Sequence, residues 1–167
     1  MTSAQTARML MRYNAWANKT LFDAVAALPP GEATKQRATL FKNMVHTLNH
    51  LYVVDLIWQA HLQGREHGIT ALGTVLHAEL AELWRAQQAI DLWYVDWGDA
   101  LTESAADEMV QFELIGGNPG SMRRCDIALH LVNHTSYHRG FVADMFYQVP
   151  ARPPLTDLPV FLRQRGQ

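Results

Sequence analysis

Apolar side chains recur at three- and four-residue steps in four long stretches of the chain, and each such stripe predicts an amphipathic helix. The first runs from about Ala4 to Leu28, with Met9, Tyr13, Trp16, Ala17, Leu21, Val25 and Leu28 on one face and Asn14 and Asn18 on a polar shoulder. Pro29, Pro30 and Gly31 end it. The second spans about Leu40 to Gly64, where Phe41, Met44, Val45, Leu48, Leu51, Tyr52, Leu56 and Ile57 supply the buried face. The third begins near Thr74 and reaches about Asp96 through Val75, Leu76, Leu80, Leu83, Trp84, Gln87 and Ile90, until Asp91 interrupts its stripe. The fourth, Cys125 to Tyr147, stops short of Pro150.

The segments between these helices also carry signals. Gly64 to Gly73 is too long for a tight turn between antiparallel neighbours, so it predicts a crossover along the bundle. Met109 to Leu114 alternates like a short strand, and Gly116, Gly117, Asn118, Pro119 and Gly120 form a dense turn signal. A small hairpin or extended loop before the last long helix follows. Near the end, Leu158, Val160, Phe161 and Leu162 form one more apolar cluster, read as a cap on one end of the bundle. The fold class is therefore all-α, in a single domain across 167 residues.

Composition narrows the function. A net charge of -2 gives no basic footprint, which argues against a nucleic-acid partner. No stretch approaches the roughly twenty apolar residues of a membrane span, and the N-terminus lacks the apolar run of a signal peptide. Cys125 is the single cysteine, so no intrachain disulfide can form. A cytoplasmic location is expected.

The chemistry concentrates on histidine. His130, His134 and His138 lie at strict i, i+4 spacing, which stacks three imidazoles along one helix face. His46 and His50 repeat the spacing on the second helix. Two helices offering stacked histidines are the arrangement by which a bundle holds a metal ion in its interior. Spacing does not decide between His46 and His50. His61 and His67 lie among polar neighbours and are read as solvated, and His77 lies on a mixed polar face with no assigned role.

Three motifs carry a family resemblance: YNAWAN at Tyr13 to Asn18, HLYVVDLIW at His50 to Trp58, and HLVNHTSYHRGFV at His130 to Val142. In this order and over nearly the whole chain, they resemble the DinB-like (damage-inducible) metalloprotein family. The resemblance implies a four-helix bundle, up-down-down-up, with a long crossover between the second and third helices. It also implies a homodimer and a divalent metal ion held by three histidines. Matched motif by motif, those fall on His50, His134 and His138, leaving His46 and His130 as supporting or packing residues. The departure from the family pattern is Phe141, where a glutamine is frequent.

Neutral imidazoles leave an ion's charge uncompensated, so a coordinated thiol or water becomes a stronger acid. Zinc, nickel and iron(II) all suit such a donor set. The resemblance implies a small-molecule substrate and an enzyme that activates a low-molecular-weight thiol toward a small electrophile. Its alternatives are a metal-dependent hydrolase and a non-catalytic metal-binding protein of the stress response. Asn49, Asn133, Tyr137 and Asp55 are the polar residues close enough in sequence to orient the ring nitrogens.

Overall fold

The structure, a computed structural model, describes residues 1–165. Six helices and one hairpin follow in the order α1 (Ser3–Ala26), α2 (Met44–Leu62), α3 (Leu80–Ala100), α4 (Glu103–Ala106), β1 (Met109–Leu114), β2 (Asn118–Arg123), α5 (Arg124–Phe146) and α6 (Leu158–Arg165). The fold is mostly helical, and its sheet has two strands. Among the described residues, no helix is long and apolar enough to cross a membrane.

Local chemistry sets the helix ends. Thr2 and Gln5 form a capping box at the start of α1, each side chain taking the other's backbone N–H. The second helix starts at Met44 rather than near Leu40. Lys42 adopts a left-handed φ of 67°, and the Asn43 side chain accepts from the His46 N–H at 2.7 Å, so the chain turns immediately before the helix. Phe41 therefore lies outside the helical stripe. Likewise α3 starts at Leu80, not Thr74, because Asn49 of α2 captures the N–H groups of Leu76 and His77 at 2.9 and 3.0 Å. Val75 and Leu76 are consequently exposed at 46% and 44%, and the crossover is longer than its sequence signal.

Contacts between side chains fix the directions of the four long helices. Asn14 meets Thr135 and Asn18 meets Arg139, so α1 and α5 run parallel. Arg12 pairs with Asp99 and Asn18 with Asp91, which makes α3 antiparallel to α1. His50 faces His138 while Trp58 faces His130, so α2 runs against α5. The order is up-down-down-up, with the crossover joining α2 to α3.

The hairpin forms as the turn signal predicts. Gly116 and Gly117 take φ of 107° and 85°, a region open to glycine without strain. Opposite Phe112 stands Gly120, where a Cβ would lie 2.6 Å from the ring. That gap lets Phe112 lie across β2 while packing on Trp58 at 4.9 Å. The C-terminal α6 does not cap an end of the bundle as its apolar cluster suggested: its buried Phe161 packs against Tyr13 and Trp16, at the middle of α1.

Two apolar clusters fill the interior. One holds Leu10, Tyr13, Trp58, Ile90, Tyr94 and Leu131, and the other holds Phe22, Leu48, Leu51, Leu83, Val142 and Phe146. Between them runs a polar waist. Asn14 and Asn18, expected on a solvated shoulder, are 4% and 2% exposed. They accept from the Arg139 guanidinium at 2.8 and 3.0 Å. Asn18 in turn donates to Asp91, and the Gln87 amide bridges Asp91 and Asp55 at 3.0 and 2.8 Å. The break that Asp91 makes in the apolar stripe is thus a buried hydrogen-bond site.

Burial, reinforced by the neighbouring Asp91, raises the Asp55 carboxyl from 3.8 to about 8, and burial raises Asp91 to about 7. The folded state therefore binds protons here more tightly than the unfolded chain. The stability from protonated Asp55 is fully present below its unfolded pKa and is lost as pH rises toward about 8. Asp55→Asn, which mimics the protonated form, should gain stability relative to wild type as pH climbs from 4 to 8, by at most about 1.4 kcal/mol per pH unit. Urea unfolding across that range measures it, and parallel profiles for the two proteins would contradict this account.

Candidate metal centre

At the level of the polar waist, on the opposite side of α5, three imidazoles converge. The Nε2 of His50 lies 3.1 Å from that of His134 and 3.2 Å from that of His138. The i, i+4 spacing brings the two rings of α5 together, and α2 supplies the third because it packs alongside in the opposite sense. His50 and His138 are buried and His134 is half-buried. Nitrogens bound about 2.0–2.1 Å from one ion at tetrahedral angles would stand about 3.3 Å apart. The observed spacing fits that geometry, and the three could hold a metal ion.

The tautomer of His50 supports the same use. Its Nδ1 lies 2.9 Å from the Leu72 carbonyl oxygen, so Nδ1 carries the proton and Nε2 presents a lone pair to the cluster. Burial, and then the neighbouring imidazoles, hold His134 down at about 3, and burial with His50 nearby holds His138 at about 4. Burial also lowers His50. All three are neutral at physiological pH, the state in which imidazole binds a metal.

The second nitrogens do not use the partners expected from sequence. A crossover carbonyl serves His50, while the Nδ1 atoms of His134 and His138 are buried without a partner among the described residues. Asn49 instead ties down the crossover, and Asp55 faces the waist. Tyr137 is 63% exposed, and Asn133 is exposed as well. Neighbours at i−1 point about 100° away from the histidine they precede, which separates Asn49, Asn133 and Tyr137 from these nitrogens.

The remaining histidines stand apart from the cluster. His46 meets the Gly73 carbonyl at 2.9 Å, and the His130 ring packs 4.8 Å from Trp58 and 5.9 Å from His134. His61 and His67 are half-buried rather than solvated: their rings meet at 5.4 Å, and His61 also packs on Trp58 and Phe112. The hairpin reaches His61 through Phe112, and His67 packs on the His61 ring. No close neighbour approaches Gly140, where a Cβ would face open space. Sequence reasoning missed Phe41 as a site residue; its ring stacks on His50 at 4.4 Å and 22°. The Lys42–Asn43 turn was the available signal, since an Asn before an apolar run marks a helix start.

A model of the DinB family matches residues 1–167. The chain belongs to the DinB family. Protein DinB of Bacillus subtilis (strain 168) is 28% identical over 158 residues, covering 92% of this chain and 91% of the relative. In this DinB-family chain, the motif-matched histidines are the three that the fold brings together.

Asn49 makes four bonds, donating to the Val45 and His77 carbonyls and accepting from Leu76 and His77. Asn49→Ala should cost about 1–3 kcal/mol through the backbone groups left unpaired. It should also speed amide exchange across residues 72–77, which adjoin the Leu72 carbonyl. Unchanged exchange in that segment would show that the crossover is held by other contacts.

Proposed function

We propose that His50, His134 and His138 hold one divalent metal ion, zinc, nickel or iron(II), and that the centre activates a low-molecular-weight thiol toward a small electrophile. The observation that carries this reading is the convergence of three neutral imidazoles, the Nε2 atoms of His134 and His138 standing 3.1 and 3.2 Å from that of His50, whose tautomer the Leu72 carbonyl sets. When bound, a divalent ion supplies positive charge and open positions that lower the pKa of a thiol.

The protein's own residues supply the rest. Phe41 covers one face of His50, and His46 and His50 both bond the crossover at Gly73 and Leu72, which holds that segment against the cluster. A surface cavity of about 760 Å³ opens beside His130 and Asn133, with Met109, Met122 and Leu129 along its walls. It lies one turn from His134 and is large enough for a small thiol or its partner. Thiol chemistry is favoured over hydrolysis because the metal-holding group contains no carboxylate among the described residues. A water nucleophile gains more from a general base than does a thiol, which ionises near neutral pH once its pKa falls. Cys125, the single cysteine, is not part of the imidazole cluster, so the nucleophile in this reading comes from solution. A cytoplasmic location and a homodimer complete the proposal; a monomer mass by light scattering at micromolar concentration would rule out the dimer.

His134→Ala should lose most of a bound equivalent of metal, measured by elemental analysis, while His46→Ala and His130→Ala retain it. Equal loss at His46 or His130 would mean that a different set of nitrogens binds. The metal-loaded wild type should generate thiolate absorbance from an added thiol at neutral pH, and His138→Ala should abolish it with helix content intact. If wild type loads metal but produces neither thiolate nor turnover of an electrophile, the protein binds metal without thiol chemistry.

A further inference from the structure

Around His138 the cluster is bordered by aromatic rings drawn from two separate parts of the chain. Phe41, placed by the turn at Lys42, lies parallel to His50 and 5.7 Å from His138. From α5, Tyr137 and Phe141 stand 5.0 and 5.7 Å from the same imidazole and meet each other at 5.0 Å and 88°. An i, i+4 aromatic pair on a helix normally buries itself against a neighbour. Here Tyr137 is 63% exposed and Phe141 half-buried, although both adjoin a histidine that is 6% exposed. Beside them, Gly140 has no neighbour within 4 Å of where a Cβ would stand, so the helix surface there is clear of side chains.

Building on the metal-centre reading, we propose that this rim selects an electrophile carrying an aryl group, which packs against Phe41, Tyr137 and Phe141. Two features favour an aryl ring over an aliphatic chain. The perpendicular Tyr137–Phe141 pair offers a ring face beside a ring edge, the two surfaces that a further aromatic ring engages in offset-stacked and edge-to-face geometry. The rings that border His138 are those of Phe41, Tyr137, Phe141 and the two other imidazoles, a lining of ring faces and edges rather than of flexible chains.

Benzohydroxamate and acetohydroxamate test this on the full chain loaded with cobalt(II). They chelate through the same atoms and differ in the ring, and the visible cobalt spectrum reports each affinity. Wild type should prefer benzohydroxamate, and Phe141→Leu, which keeps the bulk but loses the ring, should cut that preference about 2- to 10-fold with acetohydroxamate affinity unchanged. Tyr137→Leu, at an exposed position that folding does not depend on, should act in the same direction. An unchanged ratio in both variants overturns the aryl proposal while leaving the metal centre standing. If cobalt loads but neither probe perturbs its spectrum, the aryl proposal fails while the metal centre stands; if cobalt does not load, the metal reading fails and this proposal with it. A switch from dimer to monomer in Phe141→Leu with the ratio preserved would assign the rim to a second copy of the chain, which also overturns it.

Discussion

A guanidinium held 3% exposed inside a helical bundle accepts few arrangements, and Arg139 sets the terms for the rest of this molecule. Its donors reach Asn14 and Asn18 of α1 and Ser136 of its own helix, and its plane lies 5.6 Å from the Tyr13 ring centroid. Through Asn18 the network continues to Asp91, Gln87 and Asp55, so all four long helices contribute. Because those groups sit at fixed heights along α1, α2 and α3, α5 has one rotation and one register that satisfy the charge. Successive residues on a helix diverge by about 100°. With Arg139 pointed at α1, His138 and His134 turn toward α2 and meet His50. The geometry of the imidazole cluster is thus a consequence of where a buried cation must point.

The crossover supplies the second constraint. It has no regular structure of its own over residues 63–79, yet it is tied to α2 by three successive polar positions: His46 to Gly73, Asn49 to Leu76 and His77, and His50 to Leu72. These bonds place a carbonyl at His50 Nδ1 and leave Nε2 free. A segment that looks like a linker therefore fixes the protonation pattern of the site. The metal-binding capacity of the cluster and the order of the crossover are coupled through one hydrogen bond.

Much of this was legible in the sequence, for a physical reason. The stripe through Leu21 and Val25, the i, i+4 histidines and the Gly116–Gly120 turn are local patterns, and local geometry follows from them directly. What the sequence concealed was long-range. Asn14, Asn18 and Asp91 look solvated in isolation because only the opposing helices reveal that a buried arginine needs them. His61 looks exposed until Trp58 and the hairpin's Phe112 pack on it, and His67 until its ring meets His61. The starts of α2 and α3 moved because a left-handed Lys42 and the Asn49 side chain outcompete helix propensity at those points. Family resemblance favours His50 over His46, and packing sets the two apart, since His50 brings its Nε2 to those of His134 and His138 while the Nε2 of His46 meets the Gly73 carbonyl.

X-ray absorption on the metal-loaded protein addresses the central claim most directly. Three imidazole nitrogens at about 2.0–2.1 Å, with the outer-shell scattering that ring carbons give and any remaining positions filled by oxygen or an added thiol's sulfur, is the result this account predicts. A first shell dominated by carboxylate oxygen, or one with fewer than two imidazoles, would contradict it.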